Sequence, residues 1–443
     1  LKIIIIGGGP GGNEAARKAA AEGHETIVIE KDRFGGTCTN CGCVPTKFLL
    51  SAVEQEISRS GREIDQEGWI KIQKRKEALT KGLSKKIEED IIAAGVTVVK
   101  GRAELIGPRE VVVQEGNGSH RYQGDALILA TGSSILRVPA LRMDGKRVLT
   151  SDQALRLTEI PSSLIVIGSG PVGTEFAFLF NRLGTRVTLV DALPQLMPTE
   201  DEDVAAVIQK DLQRRGMGIR TGTRVMDIEN HGPGVKVRLE DGSLLEAELA
   251  MVAVGRKINT DNLGLGEADI ALNENGGVKV DEHLETSARG VFAVGDVTGS
   301  WLLAHVAATQ GVLAVKNIPE KTRPMDYRAI PYAVFIQPEL ATVGMNENKA
   351  REQGVDYLQG KAMWTRNIKA RIEKEQQGFI KILADRRTGR LIGGTIVGTR
   401  AADMIHTLAM AINCGVKAKD FARGVFIHPT LSESFHNAAE DLS

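Results

Sequence analysis

The chain has 443 residues, too many for one hydrophobic core at roughly 100–200 residues per domain, so two to four domains are expected. Its 56 basic and 56 acidic residues cancel, which removes the long-range field that would gather nucleic acid or acidic lipid. The 49 glycines, about 11% of the chain against a typical ~7%, point to many tight turns.

No apolar run reaches the roughly 18 residues of a membrane helix; residues 302–315 come nearest and are interrupted by His305 and Gln310. The sequence opens directly into the apolar residues 3–6, which leaves no stretch for a signal peptide, so a reducing, cytoplasmic setting is expected. With 4 cysteines a disulfide scaffold is excluded, and three of them, Cys38, Cys41 and Cys43, are clustered.

In chain order, Lys2–Ile6 reads as a strand, followed by the turn Gly7-Gly8-Gly9-Pro10-Gly11-Gly12, a helical stretch over residues 13–22 and a strand over 26–29 that ends at Glu30. The cysteine cluster comes next, and Pro45 is well placed to begin a helix through Phe48, Leu49 and Leu50, with Cys43 at its positive end. Residues 66–94 have charged, helical spacing and are expected to form a solvated helix packed on the first domain. The opening pattern then recurs: a strand over 164–167, the turn Gly168-Ser169-Gly170-Pro171-Val172-Gly173, a helix over 174–183 and a strand over 186–190 closed by Asp191. Residues 323–344 read as a linker entering short strands, and 378–397 as strand, turn and strand. Cys414, after the apolar stretch 404–413, is expected to pack in a core.

In both copies the acidic residue lies 23 positions after the first glycine (7 to 30, 168 to 191). A lone G-x-G-x-x-G is weak, but here each copy has a strand before it, a helix after it and an acid closing the next strand. The first glycine (Gly7, Gly168) permits the tight turn, the second (Gly9, Gly170) admits a pyrophosphate to the backbone, and the third (Gly12, Gly173) lets helix pack on strand. Glu30 and Asp191 would accept hydrogen bonds from ribose hydroxyls. Two dinucleotide sites follow. No basic residue occurs between Asp191 and Lys210, so nothing local would neutralise a 2′-phosphate and the second site is expected to prefer NAD over NADP, unless an Arg reaches it from elsewhere.

A turn through Asn40 and Gly42 could join Cys38 to Cys43, and a C-x-x-C loop could join Cys38 to Cys41. Zinc is disfavoured because no fourth Cys or His lies nearby, and no metal site is expected. Three unreactive thiols are the remaining reading.

Gly35-Gly36-Thr37-Cys38-Thr39-Asn40-Cys41-Gly42-Cys43-Val44-Pro45-Thr46-Lys47 resembles the active-site segment of the FAD-dependent pyridine nucleotide disulfide oxidoreductases. The resemblance continues through Ala130-Thr131-Gly132, Ala253-Val254-Gly255-Arg256, Val294-Gly295-Asp296 and Leu302-Leu303-Ala304-His305. It implies FAD at the first dinucleotide site and a redox pair at Cys38 and Cys43, with Cys38 meeting substrate and Cys43 against the flavin. Thr131, Gly132, Asp296, Leu303, Ala304 and a backbone contact at Ala103 would serve FAD. Val225 and Gly255 would serve NAD, beside a turn formed by residues 253–256, and Lys47 would pair with Glu175 near flavin and nicotinamide. His428-Pro429-Thr430-Leu431-Ser432-Glu433 is most similar to the dihydrolipoamide dehydrogenase branch. There His428 would be the base and Glu433 its orienting carboxylate, contributed by the second subunit of a homodimer. Glutathione-type relatives would be expected to carry basic residues at Asp191 and a Tyr lid at Pro171, and mercuric reductases to end in a second cysteine pair that residues 436–443 lack.

The expected fold is α/β, with two Rossmann-like dinucleotide-binding domains and a C-terminal α+β dimerisation domain. The FAD domain is placed at 1–148 and 264–320, the NAD domain at 149–263 and the interface domain at 321–443. The resemblance implies oxidation of a lipoyl dithiol, free or protein-bound in a 2-oxoacid dehydrogenase or glycine cleavage complex, through Cys38–Cys43 and FAD to NAD. The rivals are reduction of another disulfide, a quinone or a metal ion, and a redox-idle flavin-binding scaffold. Cys41 is unusual for the family and reads as an inert small hydrophobe, an alternative disulfide partner or a sensor thiol.

Overall fold

A computed structural model describes residues 1–116 and 118–442. Two compact units emerge, one formed by Leu1–Leu49, Ile70–Arg137 and Gly255–Met325, the other by Leu50–Trp69, Val138–Val254 and Asp326–Ser443.

The first unit is built on a five-stranded parallel sheet in the order Val291–Ala293, Ala126–Leu129, Lys2–Ile6 (β1), Glu25–Glu30 (β2), Thr97–Lys100. Ile3, Ile4 and Ile5 of β1 are all fully buried, as a strand covered on both faces requires. Between β1 and β2 runs helix α1 (Pro10–Ala21). It starts earlier than the expected residue 13 because Pro10 serves as a first helical residue, where its fixed φ suits the helix and its missing N–H is not needed. Helices α2 (Gly36–Cys41) and α3 (Cys43–Ser60) follow, then α4 (Gln66–Ala93). The expected solvated character of α4 is incomplete: Gln73, Lys76, Thr80 and Ser84 form a buried polar stripe, in which Lys76 Nζ donates to Gln73 Oε1 at 2.6 Å and Ser84 Oγ to the Phe34 carbonyl at 2.8 Å. The chain re-enters this unit at Gly255, before the expected 264, because Arg256–Ile258 pairs with Ser133–Ile135.

The second unit repeats the parallel sheet, in the order Gly218–Arg220, Arg186–Val190, Ser163–Ile167, Leu249–Val252, Val148–Thr150. Its helix Pro171–Arg182 also begins on proline. Residues 50–69 join this unit through Arg182, whose Nη2 donates to Glu54 Oε2 at 3.2 Å, and Trp69, whose Nε1 donates to the Leu157 carbonyl at 3.0 Å. The same unit holds a five-stranded antiparallel sheet in the order Pro331–Val334, Leu340–Gly344, Leu391–Val397, Phe379–Asp385, Tyr357–Met363, covered by Ala401–Asn413 and Glu433–Glu440. Cys414 corrects the sequence reading: it is exposed, because it caps the end of Ala401–Asn413, away from the face that buries Ile405, Leu408 and Ile412. Among the described residues no helix is long and apolar enough to cross a membrane.

A buried charge cluster joins this antiparallel sheet to residues 199–203. Lys381, 1% exposed, places its ammonium 2.6 Å from Asp201, 2.8 Å from Asp203 and 2.7 Å from Glu347. Burial pulls its pKa down, and the three carboxylate hydrogen bonds more than reverse this, so the ammonium stays above its ordinary value. These are the carboxylates that could together hold a metal ion, and the Lys381 ammonium already bonds to all three. Next to them Glu200 is almost fully buried, accepts from Thr342 Oγ1 at 2.9 Å, and has its second oxygen unpartnered. Burial pushes its pKa up to about 7; the Asp201 charge adds to this, while Thr342, Lys349 and Lys381 oppose it.

Because the folded pKa of Glu200 exceeds that of the unfolded chain, the folded state holds an extra proton in this range, and stability falls as pH rises from about 4.5 through about 7. Glu200→Gln keeps an acceptor for Thr342 and cannot ionise. Its thermal midpoint is expected to exceed wild type at pH 8 by an amount corresponding to roughly 3 kcal/mol, with the difference vanishing near pH 4. Thermal melts at both pH values check this, and an equal difference at both would show that ionisation of Glu200 is not the cause.

Candidate active site

The two glycine turns have the same physical construction. A Cβ on Gly7 would lie 2.3 Å from the Ala130 carbonyl oxygen, and one on Gly168 would lie 2.4 Å from that of Ala253. On Gly12 and Gly173 a Cβ would meet the carbonyl oxygens of Gly7 and Gly168, each at 1.8 Å, so the third glycine is required for the helix to close on the turn. The second glycines differ in kind. At Gly9 a Cβ would meet only Gly36 Cα, at 3.9 Å, and at Gly170 nothing within 4 Å. Both are extended N-cap residues with no side-chain cap, so the first amides of their helices are left for an anion. This open, positively polarised backbone fits the pyrophosphate of a dinucleotide.

The acidic residues hold their turns from the neighbouring strand. Glu30, buried, accepts from the Gly8 amide at 2.7 Å and the Asp32 amide at 2.7 Å. Asp191 accepts from the Ser169 amide and hydroxyl, both at 2.6 Å, and from the Leu193 amide at 2.8 Å. The Arg220 backbone carbonyl binds the Asp191 amide at 2.8 Å, but its exposed side chain lends its charge to Asp241.

The cysteine segment is anchored to the first turn by glycines. Gly35 (φ +88°) donates to the Gly8 carbonyl at 2.8 Å, and a Cβ on Gly36 (φ +55°) would lie 2.8 Å from Gly9 Cα. Asn40 Nδ2 bridges the Phe34 and Gly36 carbonyls, each at 2.9 Å, while its Oδ1 is buried and unpartnered, an acceptor for a bound group. Helix α3 begins at Cys43 itself, two residues before Pro45. Cys38 is hydrogen-bonded to Cys43, and this bond, burial and the Cys43 charge push the Cys38 pKa strongly up, with Lys47 opposing them. In the reduced pair Cys38 therefore keeps its proton while Cys43, at the start of α3, is the sulfur favoured as thiolate.

Asp296 also raises the Cys38 pKa, which sets it in the field of the cysteines. It is hydrogen-bonded by Ser133 Oγ and lies 3.9 Å from Arg256 Nε. Arg256 donates to Ser133 Oγ at 2.6 Å, to the Ser133 carbonyl at 2.8 Å and to Thr37 Oγ1 at 3.4 Å. Sequence reasoning missed this bracing role: it had read Arg256 as part of a turn beside the nicotinamide dinucleotide, and only the pairing of Arg256–Ile258 with Ser133–Ile135 reveals it. Thr131 Oγ1 and Asn259 Nδ2 donate reciprocally to each other's carbonyls, both at 2.9 Å, beside Gly132 (φ +70°). Leu303 is the N-cap of Ala304–Asn317, and Ala103 is buried on Arg102–Gly107.

Gly255 (φ +133°), expected to serve NAD, belongs to the first unit, directly after Val254, where the second unit's segment ends. In the second unit Val225 opens the strand Val225–His231, and Glu175 is buried, its Oε1 accepting from the Phe335 amide at 3.0 Å. His428 Nδ1 is 2.8 Å from Glu433 Oε1, whose other oxygen accepts from the Thr430 amide at 2.9 Å. The Thr430 amide and then His428 hold the Glu433 carboxyl below its usual range. An ionised carboxylate on Nδ1 selects the tautomer in which Nε2 is the free base, and the His428 side chain is 62% exposed. Its loop is fixed by an aromatic cluster, with Phe421 6.2 Å from Phe426 and 6.1 Å from Phe435 between ring centroids.

The fold and this site define a flavoprotein disulfide oxidoreductase. The chain belongs to the pyridine nucleotide-disulphide oxidoreductase family, which matches residues 1–311, and residues 330–439 match that family's dimerisation domain. The family binds FAD and a pyridine nucleotide. The chain is 36% identical to dihydrolipoyl dehydrogenase 2 of Haloarcula marismortui over 99% of its own length and 96% of the relative's. Among solved structures it is similar to LpdA from Mycobacterium tuberculosis (TM-score 0.93, 32% identity, 100% of each chain). It is also similar to the Cu(II) complex of RclA, an HOCl-induced flavoprotein disulfide reductase from Escherichia coli (TM-score 0.91, 28% identity, 100% and 99% of the two chains).

Substitutions of the third glycines separate the two nucleotide sites. Gly12→Ala is expected to lose flavin on purification, read as the ratio of flavin to protein absorbance. Gly173→Ala is expected to retain flavin and raise the KM for NADH at least tenfold, measured by steady-state kinetics.

Proposed function

We propose that the protein is an NAD-linked dihydrolipoyl dehydrogenase working as a homodimer. The observation that supports this reading is that the chain holds both a hydrogen-bonded Cys38–Cys43 pair and, in the other unit, a His428 whose Nδ1 is held by an ionised carboxylate. Its support is the resemblance of the whole chain to dihydrolipoyl dehydrogenases.

His428 Nε2 takes the proton of one substrate thiol, and the resulting thiolate attacks Cys38 Sγ. The Cys38–Cys43 bond breaks and Cys43 leaves as a thiolate. The second substrate thiol then attacks the substrate sulfur bonded to Cys38, its proton passing to the departing Cys38 sulfur, so that the product disulfide is complete, Cys38 leaves as a thiol and His428 keeps the first proton. Substrate has lost two electrons and two protons, and the protein disulfide has gained the two electrons. FAD, when bound, supplies the two-electron carrier between this dithiol and NAD. Gly7, Gly9, Gly12, Glu30, Asp296, Thr131, Gly132, Leu303, Ala304, Lys47 and Ala103 would hold it, and Gly168, Gly170, Gly173, Glu175, Asp191, Val225 and Gly255 would hold NAD. Asp191, already accepting from the Ser169 amide, would reject the charge of a 2′-phosphate.

The second copy would bring its His428 to the Cys38 of the first. Val425 and Ile427, 101% and 79% exposed beside His428, are apolar surface for such a subunit to cover. A second reading, reduction of a metal ion or another acceptor, is favoured by the likeness to the RclA complex with Cu(II) and by the extra thiol at Cys41.

Anaerobic mixing with dihydrolipoamide is expected to reduce the bound flavin rapidly and to support NAD turnover. His428→Gln is expected to lower kcat with dihydrolipoamide by roughly 10²–10⁴ while flavin reduction by NADH persists. Reduction by NADH with no response to dihydrolipoamide would remove the lipoyl substrate and leave the second reading.

A further inference from the structure

Cys41 takes no part in the exchange between Cys38 and Cys43, yet it is not placed as a filler. An inert structural cysteine is a small hydrophobe buried among apolar atoms. Cys41 is half-exposed, as is Cys38. Both belong to α2, three residues apart, so they share one face of that helix. Cys38 is at the same time hydrogen-bonded to Cys43 on the far side of Gly42. Cys38 is therefore bonded to one cysteine across the turn and shares a helix face with another.

The backbone allows the Cys38–Cys41 distance to close. Residues three apart in a helix have Cβ atoms about 5–6 Å apart, and a disulfide needs about 3.5–4.5 Å. Cys41 is the last residue of a six-residue helix, and Gly42 follows it with φ −137° and ψ −112°. A terminal residue of so short a helix has little cooperative hydrogen bonding to lose when it shifts by 1–2 Å, the order of movement these separations require. Residues 39 and 40 are held more firmly: Thr39 is buried, and Asn40 is clamped to the Phe34 and Gly36 carbonyls. The movement is thus confined to the end that carries the third thiol.

We propose that Cys41 is a second resolving thiol, and that the disulfide migrates between Cys38–Cys43 and Cys38–Cys41. This rests on the proposed redox pair and adds a store position for it. Cys41 gives its proton to solvent, and its thiolate attacks Cys38 Sγ. The Cys38–Cys41 bond forms, the Cys38–Cys43 bond breaks, and Cys43 leaves as a thiolate that can take up a proton. No electrons enter or leave, so no external oxidant is needed. In the migrated form Cys43 is a free thiol outside the disulfide while the protein remains at the oxidised level, and attack by Cys43 on Cys38 Sγ restores the working pair.

The test follows the one thiol left free. The oxidised holoenzyme, carrying Cys414→Ser to remove the exposed outlying thiol, is equilibrated at pH 8, alkylated and mapped by tandem mass spectrometry. The Cys38–Cys43 form carries the tag on Cys41, and the migrated form carries it on Cys43. The expected result is a tag on Cys43 in a fraction on the order of 1–10%, as for an ordinary minor state. In Cys43→Ser, diamide is expected to remove two thiols together and yield a Cys38–Cys41 link. A tag found only on Cys41, together with separate adducts and no link in Cys43→Ser, would overturn the proposal and leave the redox pair standing. Absence of any disulfide in the oxidised holoenzyme would instead remove the proposed function on which it rests.

Discussion

The approach of two carbonyl oxygens to glycine α-carbons is the constraint on which the rest depends. At Gly7 and at Gly168 the strand end across the sheet comes so near that a methyl group would be a collision, and at Gly12 and Gly173 the turn's own carbonyl does the same. These contacts set the helix axis, and with it the direction in which unsatisfied amides point. A carboxylate from the next strand, Glu30 or Asp191, fastens each turn through the amide that follows the first glycine. In the first copy the glycine surface has a further use. Gly36 settles against Gly9, so the segment bearing the cysteines is positioned by the same turn that would hold a pyrophosphate. Redox centre and nucleotide site are therefore one construction and not two adjacent ones.

The chemistry of the pair follows from unequal surroundings. Cys38 is partly buried and bears the influence of Cys43 and Asp296; Cys43 opens an 18-residue helix. Two thiols five positions apart thus acquire distinct tasks, one retaining a proton and one ready to lose it. The His428–Glu433 dyad shows the same economy: a backbone amide fixes the carboxylate, and the carboxylate fixes the imidazole.

What the sequence made legible was local. Strand, glycine turn, helix and closing acid lie within about thirty residues, so periodicity and spacing expose them. Helix starts were less visible, since Pro10 and Pro171 look like breakers until they are recognised as first-turn residues. Cys414 was misplaced because an apolar stretch does not say where its helix ends, and a cap faces water whatever precedes it. The stripe Gln73, Lys76, Thr80, Ser84 looked solvated because its residue types usually are. Arg256 and Lys381 were hidden for a different reason. Their partners are far away in sequence, at Ser133 and Thr37 for one and at Asp201, Asp203 and Glu347 for the other, and no spacing rule links such positions.

The Lys381 cluster has a consequence for how such chains can be recombined. Its cation belongs to the antiparallel sheet and two of its anions to the segment that follows the second glycine unit. Exchanging that nucleotide-binding segment for one from a relative would leave the buried Lys381 with Glu347 as its one remaining partner of the three, and would strip Asp201 and Asp203 of the ammonium they share. A graft that respects the visible boundaries of the nucleotide module would thus carry an electrical mismatch into the interior, and a viable chimera must inherit residues 200–203, 347 and 381 as a single heritable unit.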